Sequence, residues 1–125
     1  MDHSVLVVED DDNIVLSLKF LLEKSGFDTR VVGDGNAALG EMRAAKPDVV
    51  LLDVMLPERD GFSVCEEIRG SSAWSDVHVI MLTAKGREAD REKGMAAGAD
   101  DFITKPFSTR DLVSRVKAAV GLAVD

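Results

Sequence analysis

Residues 49–62 read VVLLDVMLPERDGF: four β-favouring apolar residues, an aspartate, then a loop-like segment ending at Asp60-Gly61. A run this short and continuously apolar suits a strand buried on both faces, because a strand with one wet face alternates instead. Comparable runs lie on either side of Val49–Leu52: VLVV at Val5–Val8, TRVV at Thr29–Val32, HVIML at His78–Leu82 and FIT at Phe102–Thr104. The segments between them carry helical spacing. Ile14, Leu18, Leu21 and Leu22 follow the first run and are ended by Gly26. Leu112, Val116, Ala119 and Val120 follow the last, with Ser108 placed as a cap and Gly121 as a stop. Five βα units in strict alternation predict an α/β fold, a (βα)5 parallel sheet covered by helices on both faces. Right-handed crossovers make that sheet doubly wound.

The polarity of the runs predicts their order. The first, third and fourth are continuously apolar and suit the interior of a sheet. TRVV and FIT are shorter or more polar and suit its edges. The order is then 2-1-3-4-5, the flavodoxin-like arrangement.

Composition narrows the class without naming a function. The 125 residues fit one domain, 46% hydrophobic and 30% charged, as in ordinary globular proteins. No linker, repeat or low-complexity tract divides them, so residues 1–125 read as one unit with no effector domain. A formal net charge of −8 disfavours direct contact with nucleic acid or an anionic membrane. No stretch approaches the ~18 apolar residues of a membrane span, and Met1–Ser4 does not read as a signal peptide. The single cysteine, Cys65, cannot form an internal disulfide, so a reducing, cytoplasmic setting is expected.

Chemistry is expected beyond the carboxyl ends of the strands, where strand order reverses. Strand one is followed by Glu9, Asp10, Asp11 and Asp12, strand three by Asp53, strand four by Thr83 and strand five by Lys105-Pro106. The order 2-1-3-4-5 places strands one and three side by side, so the acidic run and Asp53 share a crevice. Each residue has a plainer reading. Asp11 or Asp12 suits the cap of the next helix, Asp53 could be a turn residue, and Lys-Pro a loop. Together, at the ends of four strands, they read as a site. Converging carboxylates repel and call for a cation. Oxygen ligands without His or Cys point to Mg²⁺ or Mn²⁺ rather than zinc. A metal and Lys105 would neutralise a phosphoryl group, Thr83 would offer it a hydrogen bond, and a carboxylate can then act as nucleophile.

The combination of VLVVED, LLDVMLPERDGF, MLTA and DDFITKPF resembles bacterial two-component response-regulator receiver domains, over essentially the whole chain. The resemblance implies that Asp53 is the phosphoacceptor. It implies that Asp10 holds Mg²⁺ directly, Glu9 through water, and that the Met55 backbone carbonyl supplies a further ligand. Thr83, with Ala84 beside it, and Phe102 are implied as the phosphate-contacting and switch positions, and Lys105 as the phosphate-binding lysine. The Lys105-Pro106 bond is implied to be cis. Phe102 stands where tyrosine is frequent, so no hydroxyl can report the switch, and Glu9 replaces an aspartate.

The implied partner is a histidine kinase or phosphotransfer protein that donates from phosphohistidine. Phosphorylation would alter the surface of helix 4, strand 5 and helix 5. Within the family the chain is closest to the branch carrying a winged-helix DNA-binding domain, so it is either a stand-alone regulator or a receiver cut from a longer protein. That branch implies a phosphorylation-dependent homodimer, with Arg91 facing Asp111, Asp101 facing Arg115, and Glu92, Met95 and Ser114 in the patch; so polar a patch predicts that the dimer is weak. Leu122 occupies the place of a third basic partner.

Two other functions fit less well. Aspartyl-phosphate hydrolases carry a second Asp two residues after the nucleophile, where this chain has Met55. A flavin binder would need a Gly, Ser or Thr-rich phosphate loop after strand one, where four acids stand. Cys65 reads as buried packing, His3 as surface, His78 as strand filler and Trp74 as structural at the far end of the sheet. Lys85, Arg87, Glu88, Asp90, Arg91, Glu92 and Lys93 read as the solvated face of helix four.

Overall fold

The computed structural model describes residues 3–84 and 88–122. Along them run β1 (Ser4–Val8), α1 (Asp12–Lys24), β2 (Asp28–Val32), α2 (Gly35–Ala44), β3 (Val49–Asp53), α3 (Gly61–Arg69), β4 (His78–Ala84), α4 (Glu88–Ala97), β5 (Asp101–Lys105) and α5 (Thr109–Ala119). A 3₁₀ turn, Ser72–Trp74, leads into β4. The strands form one parallel sheet in the order β2-β1-β3-β4-β5, as the polarity of the runs predicts.

Alternating side chains explain why the central runs are apolar throughout. Leu6, Val8, Val50, Leu52, Val79 and Met81 enter the core with α2, α3 and α4. Their neighbours Val5, Val7, Val49, Leu51, Ile80 and Leu82 enter the opposite core with α1 and α5. Every position of β3 is buried, whereas β2 and β5 at the edges are only partly so. Fully burying one such side chain contributes roughly 1.5–3 kcal/mol, so the two cores hold the sheet between its helices.

Local signals set the helix ends. Asp11, not Asp12, caps α1, its Oδ1 accepting from the amides of Asn13 and Ile14 at 2.9 and 3.3 Å. Ser108 caps α5 through the Asp111 amide at 3.2 Å. Gly26 and Gly121 take φ of +94° and +77° just past α1 and α5. Strand β4 runs two residues beyond the predicted end, because Thr83 and Ala84 pair with Thr104 and Lys105, which also lengthens β5.

The expected solvated face of α4 needs correction at Asp90. The inner stripe of α4 is Asp90, Gly94 and Ala97, spaced i, i+4 and i+7, and all three are buried. Glu88, Arg91, Glu92 and Lys93 are exposed as expected; Lys85 and Arg87 lie outside the described residues. Cys65 is fully buried against the Ala97 carbonyl, and burial pushes its thiol up to about 11, which leaves it protonated and unreactive. Trp74 packs on the α3 side of the core before the amino end of β4. His3 sits 3.7 Å from Asp48, also at the amino edge, and His78 opens β4 half-buried. Among the described residues no helix is long and apolar enough to cross a membrane.

Candidate functional site

Strand pairing builds the site. Val8 of β1 lies opposite Leu52 of β3, so the next residues, Glu9 and Asp53, leave the sheet together. Glu9, Asp10 and Asp53 each bring a carboxylate oxygen to within 4.8 Å of the others. From the far side β5 delivers Lys105, whose Nζ donates to Glu9 Oε1 at 2.5 Å and lies 3.4 Å from Asp53 Oδ1. The peptide bond between Lys105 and Pro106 is cis.

Glu9 is almost wholly buried, and its second oxygen accepts from the amides of Asp10 and Asp11 at 3.1 and 3.3 Å. A buried carboxylate with a cation and two amide donors is well satisfied. Asp53 is worse placed. Burial first, and the Glu9 charge second, raise its pKa to about 6, against the pull of Lys105. Burial works against the Lys105 charge, but Glu9 and Asp53 outweigh it and raise the lysine's pKa. Among the described residues, Lys105 pairs with two of the three carboxylates, Glu9 and Asp53. The donor set is all oxygen, without His or Cys, which fits a hard divalent cation of the Mg²⁺ or Mn²⁺ kind.

Thr83 sits just past Leu82, the partner of Asp53, and is buried. It shares a sheet face with Met81, whose partner across the β4–β5 pair is Phe102. Phe102 is buried, with Arg91 of α4 over its ring at 5.3 Å. Gly94 makes that position available. A β-carbon on Gly94 would lie 2.5 Å from Phe102 Cε1 and 2.9 Å from Met81 Sδ. Ala84 is exposed and pairs with Lys105. Met55 is 68% exposed in the β3–α3 loop, beside Asp10 in an open cleft.

Sequence reasoning passed over what holds that loop. Gly61 starts α3 directly against the end of β3: its amide donates to the Val54 carbonyl at 2.8 Å, and a β-carbon would lie 2.3 Å from the Asp53 carbonyl oxygen. The Asp60-Gly61 pair was a readable signal for this approach. Glu58, with φ of +69°, and the side-chain bonds of Arg59 carried no such signal.

The four charged positions of the expected dimer face are engaged within the chain. Arg115 donates to Asp101 Oδ1 at 2.7 Å and to Asp111 Oδ2 at 3.1 Å, while Arg91 lies over Phe102. Met95 is exposed at 62% and Leu122 at 42%; Glu92 is exposed and Ser114 half-buried.

A doubly wound sheet with carboxylates, a threonine and a lysine gathered at its switch point defines a small class of signalling domains. Residues 5–117 match the response regulator receiver domain, and the chain belongs to that family. It is a phosphorelay signalling domain of a two-component system. It is 47% identical over 122 residues to the sensory transduction protein RegX3 of Mycolicibacterium smegmatis, covering 98% of this chain and 52% of that protein. The chain thus spans about half the length of the curated relatives it matches. A putative response regulator from Chloroflexus aurantiacus superposes with a TM-score of 0.92 at 34% identity, covering 96% of this chain and 98% of that one. The receiver domain of sensor histidine kinase PA1611 from Pseudomonas aeruginosa, solved with a magnesium ion in its active-site cleft, superposes with a TM-score of 0.89 at 30% identity, covering 97% and 99%.

Proposed function

We propose that Asp53 is the phosphoacceptor of this domain and that Glu9, Asp10 and the Met55 carbonyl form its Mg²⁺ site, with Mn²⁺ able to substitute. The convergence of Glu9, Asp10 and Asp53 within 4.8 Å, with Lys105 at its edge, carries this reading. The magnesium ion in the PA1611 receiver domain supports the choice of cation. When bound, the cation neutralises the carboxylates and phosphoryl oxygens. Asp53 Oδ attacks phosphorus of a phosphohistidine, donated by a histidine kinase or phosphotransfer protein. A P–O bond forms, the P–N bond breaks, and the departing imidazole nitrogen takes up a proton. Lys105 pairs with a phosphoryl oxygen, and Thr83 donates its hydroxyl to another. The domain thereby catalyses its own phosphorylation, without turnover of a separate substrate.

The switch follows from the same residues. Phosphorylation replaces the single carboxylate charge of Asp53 with a phosphoryl group carrying about two, and its oxygens draw Thr83 toward them and open space for Phe102. The surface of α4, β5 and α5 changes, and an output domain or partner reads it. A DNA-binding output, or a weak homodimer using Arg91, Asp101, Asp111 and Arg115, belongs to this proposal, as does a cytoplasmic location beside the kinase. The test is incubation with a small phosphodonor and Mg²⁺, read by intact mass. One added phosphoryl group is expected, and none in Asp53→Asn; unchanged labelling of that variant would overturn the assignment.

A further inference from the structure

The loop that carries Met55 is built on a strained turn. The Arg59 amide donates to the Pro57 carbonyl at 2.7 Å across Glu58, whose φ is +69°. This is a γ-turn with its central residue on the left-handed side, a conformation that a glutamate adopts only under constraint. The constraint is visible in the Arg59 side chain. Its Nε and Nη2 donate to Ser63 Oγ at 3.1 and 2.6 Å, and its Nη1 donates to Glu67 Oε1 at 2.9 Å. The Ser63 amide is itself held by Asp60 Oδ1 at 2.9 Å, so two successive loop residues grip one residue in the first turn of α3. Glu67 also reaches Arg43 of α2 at 3.5 Å. From the opposite side, the Gly35 amide at the start of α2 donates to Pro57 at 3.4 Å, and a β-carbon on Gly35 would lie 2.6 Å from the Arg59 carbonyl oxygen.

We propose that Arg59 is a positioning residue for the metal-binding loop. By clamping the Glu58 turn to α3, it holds the Met55 carbonyl in place beside Asp10 and Asp53 and so sets the affinity for a divalent cation. The inference rests on the reading of Asp10, Asp53 and Met55 as ligands. Charge alone predicts the opposite result: removing a positive charge from the chain leaves it more negative and strengthens its attraction for Mg²⁺. A loss of affinity on removing Arg59 therefore reports geometry.

The test is a Mg²⁺ titration of the whole chain, followed through its amide chemical shifts, for the unmodified protein, Arg59→Met, Glu58→Gly and the double variant. Arg59→Met is expected to weaken Mg²⁺ binding about tenfold, as loss of a supporting contact around a metal site does. Glycine accepts the left-handed φ without strain, so Glu58→Gly should leave affinity nearly unchanged alone and restore most of it in the double variant. Ser63→Ala removes the arginine's acceptor and carries the same expectation should Arg59→Met fail to fold. Arg59→Met binding Mg²⁺ as the unmodified chain does, with only its melting temperature lowered, would overturn the inference alone, and so would a double variant no better than Arg59→Met. An unmodified chain that binds no Mg²⁺ would overturn the ligand assignment and the inference with it.

Discussion

Asp53→Asn should make the metal-free protein more stable at neutral pH, although it removes a buried group and an ion-pair partner. The Asp53 pKa is raised from 3.8 to about 6 in the folded chain, by burial and then by Glu9. Between those values the native state holds a proton that the unfolded state has released. Folding is therefore penalised progressively as pH rises through that window, and the full penalty applies above about 6. Raising the pKa from 3.8 to about 6 corresponds to roughly 3 kcal/mol, at ~1.36 kcal/mol for each tenfold change in proton affinity. Asparagine, neutral at every pH, escapes the penalty, and the pull of Lys105 is already included in the net shift. In EDTA at pH 7.5 the variant should gain about 2–3 kcal/mol, roughly 10 °C in melting temperature for a chain of this size. Toward pH 4 the gain should shrink to a small fraction, and it should vanish below 3.8, where Asp53 is protonated in the folded and the unfolded protein alike. Urea unfolding followed by circular dichroism at a series of pH values measures this directly. If the Mg²⁺ dissociation constant is about 1 mM, ~10 mM metal adds about 1.4 kcal/mol to the unmodified chain, and the variant should show a smaller increment. A variant less stable than the parent at pH 7.5, or a gain that is the same at pH 4, would refute the reasoning.

Three further expectations follow from the same geometry. Gly94→Ala should cost about 1–3 kcal/mol in urea unfolding, because its β-carbon overlaps Phe102 and Met81, and unchanged stability would mean that the ring is not confined there. Saturating Mg²⁺ should leave Trp74 emission nearly unchanged, since that residue sits before the amino end of β4, and strong saturable quenching would contradict this. With a beryllofluoride phosphate mimic and Mg²⁺, sedimentation should show at most a weak dimer. Arg115 already pairs within the chain, and an exposed ion pair contributes only about 0–1 kcal/mol. A tight dimer at low micromolar concentration, indifferent to Arg91→Ala, would place the contact on another surface.

The sequence by itself determined the strand order and the residues of the acidic cluster. Burial on both faces leaves a direct trace in VLVV, VVLL and VIML, and a parallel sheet brings the residues after adjacent strands to one edge. Caps and stops at Ser108, Gly26 and Gly121 were legible because they involve near neighbours in the chain, and the first cap was narrowed to Asp11 or Asp12. Only the tertiary structure decided which carboxylate Lys105 grips. It lies 96 residues from Glu9, and no local pattern distinguishes that partner from Asp53. Nor did the sequence show that Arg115 reaches both Asp101 and Asp111 within one chain, that Asp90 turns inward on α4, or that Arg59 fastens the strained turn at Glu58. These depend on where side chains from separately formed elements meet. Such meetings are settled by packing, which a periodicity of hydrophobic residues does not encode.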